Sequence, residues 1–327
     1  MTHAQVLSIR SRWAARAAAP ALILALSVSA GLGGEPASKA ASAPARRAKQ
    51  EKAPPTPLVV PEDVSLTRDI PYREGNEAWK LDLAMPKEPA KAARPALVFV
   101  HGGGWRSGDK GLAKFLGQAV NGAQKGYVCV SVNYRLSGEA PFPAAVEDVK
   151  CAVRWLRAHA QDYGVDPNRI GAMGISAGGH LVLMLGLAPK EAGLEGDGPW
   201  QEFSSMVQAV VSSCGPASFI GGRLEFLNRP GAFLSGPEET LEERTKQASP
   251  ITYVGPNAPP MLIIQGTDDN TVPVAQADNL VEALKAAGAK DVTYMRLEGA
   301  GHGVFDQRIA ETAPAMEAFF ERTLKSK

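Results

Sequence analysis

Cysteine is scarce in this chain, with three in 327 residues. A number that low and odd excludes a disulfide framework as the source of the fold. Histidine is scarce too, and the five present are unclustered, so no metal constellation is expected. No G-x-G-x-x-G is found, and no Gly-rich loop runs into Lys-Ser/Thr, so no dinucleotide or phosphate cradle and no cofactor are read. Excess charge is missing, since a formal net charge of +1 carries no nucleic-acid footprint. The apolar stretch Ala17 to Ala30 has 14 residues, short of the ~20 that span a bilayer as a helix. No repeat of fixed period appears. What remains is globular, with 45% hydrophobic and 21% charged residues. Abundant Gly (33) and Pro (25) announce many tight loops.

The near-neutral total hides an asymmetry. Residues 1–60 hold eight basic side chains and two acids, leaving 27 basic and 32 acidic residues for the rest. Arg10, Arg12 and Arg16 precede the apolar stretch, and Val28-Ser29-Ala30 fits a small-residue cleavage site. That is the pattern of a secretory signal peptide over residues 1–30, with an uncleaved anchor as its rival. The expected location is secreted or periplasmic, with no stable membrane span after cleavage. Residues 31–60, rich in Ala, Pro and Lys, bury too little apolar surface to order and read as a flexible tether. Residues 61–327 read as one domain.

In that domain strand and helix signals alternate. Val64–Tyr72 and Trp79–Met85 alternate apolar and polar residues, as an antiparallel edge pair would. Ala96–Val100, Tyr127–Val132, Val207–Val211 and Met261–Ile264 are continuous apolar runs, as in strands buried on both faces. Val292–Leu297 is a later strand. Ala145, Val149, Ala152, Val153 and Leu156 share one helical face, with Glu147, Asp148, Arg154 and Arg157 off that stripe. Residues 274–287 and 306–324 also read as helices, and 189–250 as an irregular, cap-like insertion containing one strand. The fold class is α/β, a mostly parallel central sheet with helices on both faces and an antiparallel N-terminal edge.

The chemistry begins at Gly174-Ile175-Ser176-Ala177-Gly178. It follows a strand end at 170–173 and precedes an apolar helix, the strand–turn–helix context that gives G-x-S-x-G meaning. A serine on such a turn projects its hydroxyl above the sheet. The helix behind it offers N–H groups to a developing oxyanion. His101-Gly102-Gly103-Gly104-Trp105 follows the strand 96–100. A loop of this H-G-G-G type supplies further oxyanion donors, here Gly103 and Gly104 beside Ala177. The base is found by elimination. His3 lies in the signal peptide, His101 in the glycine loop, His159 at a helix end, and His180 inside the elbow helix. His302, in Gly299-Ala300-Gly301-His302-Gly303, remains and completes the order Ser…Asp…His. The acid lies in Gly266-Thr267-Asp268-Asp269, and D-x-x-V-P spacing selects Asp269 over Asp268. Trp105 is read either as a wall of the substrate pocket or as packing beneath the glycine loop. Cys129, Cys151 and Cys214 read as structural, with a single disulfide left open.

These motifs resemble the α/β-hydrolase fold and, within it, esterases carrying H-G-G-G. The hormone-sensitive-lipase-like group reads G-D-S-A-G-G, where this chain has Ile175 in place of the Asp. H-G-G-G-W and G-x-S-A-G-G-H are similar to secreted bacterial carbohydrate and feruloyl esterases. So are Leu81-Asp82-Leu83, Val132-Asn133-Tyr134-Arg135 and Ser249-Pro250-Ile251-Thr252-Tyr253-Val254. The resemblance spans roughly residues 62–325. It implies a serine carboxylic-ester hydrolase acting on short-acyl or carbohydrate-linked (acetyl or feruloyl) esters. The rivals are a serine peptidase, an arylformamidase-like amide hydrolase, and an inactive hydrolase-fold binding protein.

Overall fold

The computed structural model describes residues 58–222 and 225–325, all within the compact unit Pro54–Lys327. The signal peptide and nearly all of the tether lie outside the described residues. Eight strands form one sheet: β1 (Val64–Pro71), β2 (Lys80–Pro86), β3 (Arg94–Val100), β4 (Val128–Val132), β5 (Val165–Ile175), β6 (Ala209–Ser213), β7 (Met261–Gly266) and β8 (Val292–Leu297). Their order is β1-β2-β4-β3-β5-β6-β7-β8. β1 and β2 are antiparallel to their neighbours, and every pair from β4 to β8 is parallel. The strands with continuous apolar sequence are the central ones. β4 and β6 are buried at every residue, whereas β8 at the edge has no fully buried residue.

Helices α1 (Ala113–Gln124), α2 (Ala144–Ala158), α3 (Ala177–Leu187), α4 (Glu225–Asn228), α5 (Leu241–Ala248), α6 (Ala275–Ala286), α7 (Val304–Gln307) and α8 (Ile309–Phe320) complete the layers. The twofold period of a strand divides the core in two. Ala96, Val98 and Val100 pack with α2 and α3 on one face, while Leu97 and Phe99 pack with α1 and α8 on the other. α3 is apolar all round and buried at every residue, as such a helix must be.

The sequence carried less information about three features. α1 has no strong signal, because Gly117, Asn121 and Gly122 dilute its helix-forming residues. The helix expected over 306–324 is α7, a break at Arg308, α8 and a closing π turn at Glu321–Lys325. Four charges of α2, Asp148, Lys150, Arg154 and Arg157, are buried. Asp148 pairs with Arg135, Lys150 and Arg154 with Glu195, and Arg157 donates to the carbonyls of Pro167 and Met206. The bonds to Glu195 and Met206 pin the chain beyond α3 onto α2. The irregular stretch 189–250 is therefore two excursions on either side of a core strand, β6.

Candidate active site

All candidate residues emerge at the C-terminal ends of parallel strands, the edge where α/β sheets gather their loops. β5 ends at Ile175 and α3 starts at Ala177, leaving a one-residue elbow. Ser176 there has φ 57° and ψ −121°, a backbone region that non-glycine residues rarely occupy. Its amide donates to the Ser213 carbonyl at 2.9 Å, tying the elbow to β6. The following glycine is sterically required. A Cβ at Gly178 would lie 2.1 Å from the Val100 carbonyl oxygen.

His302, on the loop between β8 and α7, bridges serine and acid. Its Nε2 lies 2.9 Å from Ser176 Oγ and its Nδ1 lies 2.8 Å from Asp269 Oδ2. The Asp269 side chain is fully buried and acts only as an acceptor. Nδ1 therefore carries the proton, and Nε2 is free to accept from the serine hydroxyl. Asp269 Oδ1 accepts from the amides of Thr271 and Val272, and Oδ2 also accepts from Gln265 Nε2 at 3.0 Å. Asp268 is exposed, and its carboxylate accepts from Thr267 Oγ1 and not from the imidazole. Of the two adjacent carboxylates, it is thus Asp269 that meets the imidazole.

The glycine loop after β3 lies against the elbow. A Cβ at Gly102 would stand 3.3 Å from Ser176 Cβ. The Gly103 carbonyl accepts from the amides of Arg106 and Ser107, closing a tight turn. Gly103 has φ +121°, and a Cβ there would sit 2.0 Å from the Ser107 carbonyl oxygen. The N–H groups of Gly103 and Gly104 have no acceptor among the described residues. Ala177, at the first position of α3, presents an N–H at the positive end of a helix. Three amides thus sit on the loop and elbow beside the serine.

Trp105 is buried at 5% exposure and packs beneath the loop. Its ring stacks on Phe233 at 4.2 Å and meets His180 edge-on at 5.3 Å. Its backbone adopts a left-handed φ of 57° at this point of the loop. The other described histidines are engaged elsewhere. His180 is fully buried, donates from Nε2 to the Ala248 carbonyl, and burial lowers its pKa to about 4. His101 stacks on Tyr134 at 4.4 Å, and burial lowers its pKa as well. His159 stacks on Trp155.

Two neighbours of the site carry no motif and were missed in the sequence. One is Gln265, which fixes the Asp269 carboxylate. The other is Cys214, whose Sγ donates to the His302 carbonyl at 3.1 Å. All three cysteines are free and buried. Among the described residues, one group of three ligating side chains lies together, Cys214, Asp269 and His302. Its aspartate and histidine atoms are already hydrogen-bonded to each other.

This sheet, with a serine elbow, a histidine and an acid in chain-ordered hydrogen bonds, defines the α/β-hydrolase class. The chain belongs to the BD-FAE family, whose model matches residues 81–284. Esterase LipC of Mycobacterium tuberculosis is 35% identical, over 74% of this chain and 61% of its own length. The probable carboxylic ester hydrolase LipM of the same organism is 33% identical, over 77% and 60%. The chain therefore spans about 60% of the length of these curated relatives. Among solved structures, a truncated carbohydrate esterase from gut microbiota superposes with TM-score 0.65 and 30% identity, covering 79% of this chain and 96% of that one. Butyrate-bound esterase Est2 of Thermogutta terrifontis gives TM-score 0.65 and 30% identity, covering 81% and 97%.

Proposed function

We propose that the chain hydrolyses carboxylic esters through an acyl-enzyme on Ser176. The reading rests on one observation, the unbroken series Ser176 Oγ, His302, Asp269 at 2.9 and 2.8 Å. His302 Nε2 takes the serine proton as Oγ attacks the ester carbonyl. The resulting oxyanion is held by the amides of Gly103, Gly104 and Ala177. His302 then protonates the departing alcohol. Water, deprotonated by the same imidazole, attacks the acyl-serine and releases the acid and free Ser176. Asp269 keeps the imidazole in the required tautomer throughout.

The substrates are short-acyl or carbohydrate-linked esters. Two likenesses support this: the fold matches a protein titled a carbohydrate esterase, and it matches an esterase solved with butyrate bound. p-Nitrophenyl esters of rising acyl length, acetylated xylan and methyl ferulate, tested beside aminoacyl-p-nitroanilides, separate the possibilities. Turnover concentrated on acetyl to butyryl esters or on the glycan esters is expected. Preferential cleavage of the anilides would make the protein an amidase and overturn the reading. Residues 1–30 direct export in this account. The Arg-rich start and short apolar stretch support that, and N-terminal sequencing of the mature protein should begin beyond residue 30.

A further inference from the structure

Asp82 is a charge in the apolar strand β2, with no exposed surface. Such a group needs a partner, and it has one in Lys110, whose Nζ lies 2.8 Å from Asp82 Oδ1. Asp69 adds a second carboxylate to the same ammonium. Asp69 reaches it because the β1–β2 register slips between Thr67 and Ile70, and Asp69 adopts φ 58° in that irregularity. A bulge of this kind re-aims a side chain. The Asp69 amide also donates to Asp82 Oδ1 at 2.9 Å, and Arg68 lies 3.4 Å from Asp82 Oδ2. Burial works against the Lys110 charge, but the two carboxylates outweigh it and its pKa lies above the ordinary lysine value.

The backbone of Lys110 is fastened as firmly as its side chain. Its amide donates to Asn133 Oδ1 at 2.6 Å and its carbonyl accepts from Ser131 Oγ at 2.8 Å, both from β4 and its end. Asn133 Nδ2 donates to Asp109 Oδ2 at 2.9 Å. Two residues before Lys110, Gly108 folds back onto the start of the same loop. A Cβ there would lie 2.2 Å from His101 Nδ1 and 2.5 Å from the Gly102 carbonyl oxygen. Gly108, two residues from Lys110, thus sits against His101 and Gly102, the residues that lead into Gly103.

We propose that Lys110, clamped between Asp82 and Asp69, is a positioning residue that sets the oxyanion donors of Gly103 and Gly104. The proposal rests on the ester-hydrolase reading above. Lys110 touches no substrate. It acts by holding the closed end of the 101–110 loop to β1 and β2, so that the glycine amides keep their aim at Ser176. An oxyanion is present only in the transition state, so loosening this clamp lowers kcat and leaves KM nearly alone.

The test uses the purified full chain and the variants Lys110→Met, Asp82→Asn and the pair together. It measures kcat and KM on p-nitrophenyl butyrate, inhibition by an alkyl trifluoromethyl ketone, and the thermal midpoint. The ketone forms a hemiketal whose oxygen occupies the oxyanion position. Lys110→Met should lower kcat about tenfold or more and weaken the ketone by a similar factor, with KM within about twofold. Removing both charges should recover thermal stability, because no carboxylate is left buried alone. kcat should stay low in that double variant. Asp69→Asn, at a side chain 62% exposed, should fold in any case and lose about threefold in kcat at constant KM. Unchanged kcat and inhibition in Asp69→Asn and in any other folded variant, or a double variant that regains kcat together with stability, would overturn the proposal. Ser176→Ala run in parallel keeps the two readings apart. Turnover surviving in that variant defeats the ester-hydrolase reading, whereas serine-dependent turnover indifferent to Lys110 and Asp69 defeats the clamp alone.

Discussion

A carboxylate without exposed surface holds its charge only if donors surround it. Asp269 has four: two amides on Oδ1, and Gln265 with His302 on Oδ2. Asp269→Asn puts an amide NH2 where one oxygen accepts, which forces the imidazole into the wrong tautomer. kcat on p-nitrophenyl acetate should fall by about 10⁴. Asp268→Asn, on the exposed neighbour, should leave kcat within about twofold by contrast, since surface changes away from the site cost little. A swap of these two outcomes would reassign the acid. Asp269 and His302 were legible in the sequence because spacing and elimination left few choices. Gln265 and Cys214 were not, because a polar residue at a strand end has no motif of its own. Asp82 stood at a polar position of an alternating strand, and its burial and its partner could be named only once β1, β2 and the loop stood together. His180 supplies a pH effect. Its folded pKa of about 4 lies below the ordinary 6.5, so the unfolded chain takes up the proton first. Stability should therefore fall as pH drops from about 6.5 to about 4, by about 3 kcal/mol from this group. Urea unfolding across that range should show the loss in the wild type and much less of it in His180→Gln.

At the scale of elements, the glycine loop makes two adjacent positions chemically unequal. Gly103→Ala would drive a methyl into the Ser107 carbonyl, whereas a Cβ at Gly104 meets nothing within 4 Å. Both have positive φ, so each substitution carries some backbone strain. Gly103→Ala should cost about 10² or more in kcat/KM, and Gly104→Ala less than about tenfold. Equal losses in a steady-state assay would mean that loop shape does not govern the donors. Strands were readable in the sequence because continuous apolar runs such as Ala96–Val100 suit only a layer covered on both faces. Helix boundaries were less so. α1 hides behind its glycines, and the break at Arg308 follows no Gly or Pro punctuation. The buried charges of α2 escaped because partners such as Glu195 and the Met206 carbonyl lie 41 to 49 residues along the chain.

Across the whole molecule, a parallel sheet brings four separate loops to one edge, and the chain order of serine, acid and histidine matches the roles proposed for them. The elbow serine, the glycine loop and the buried acid come from β5, β3 and β7, and the histidine follows β8. The sequence showed this order because each loop carried its own signal. The ion-paired supports beneath the loops are long-range contacts with no local signature. Everything proposed for the chemistry converges on Ser176. The decisive measurement is ester turnover by the Ser176→Ala variant, with mass-spectrometric mapping of a fluorophosphonate probe on the wild type. The account predicts a covalent adduct on Ser176 and a loss of turnover of several orders of magnitude in the variant. An adduct elsewhere, or activity within tenfold of the wild type, would contradict it.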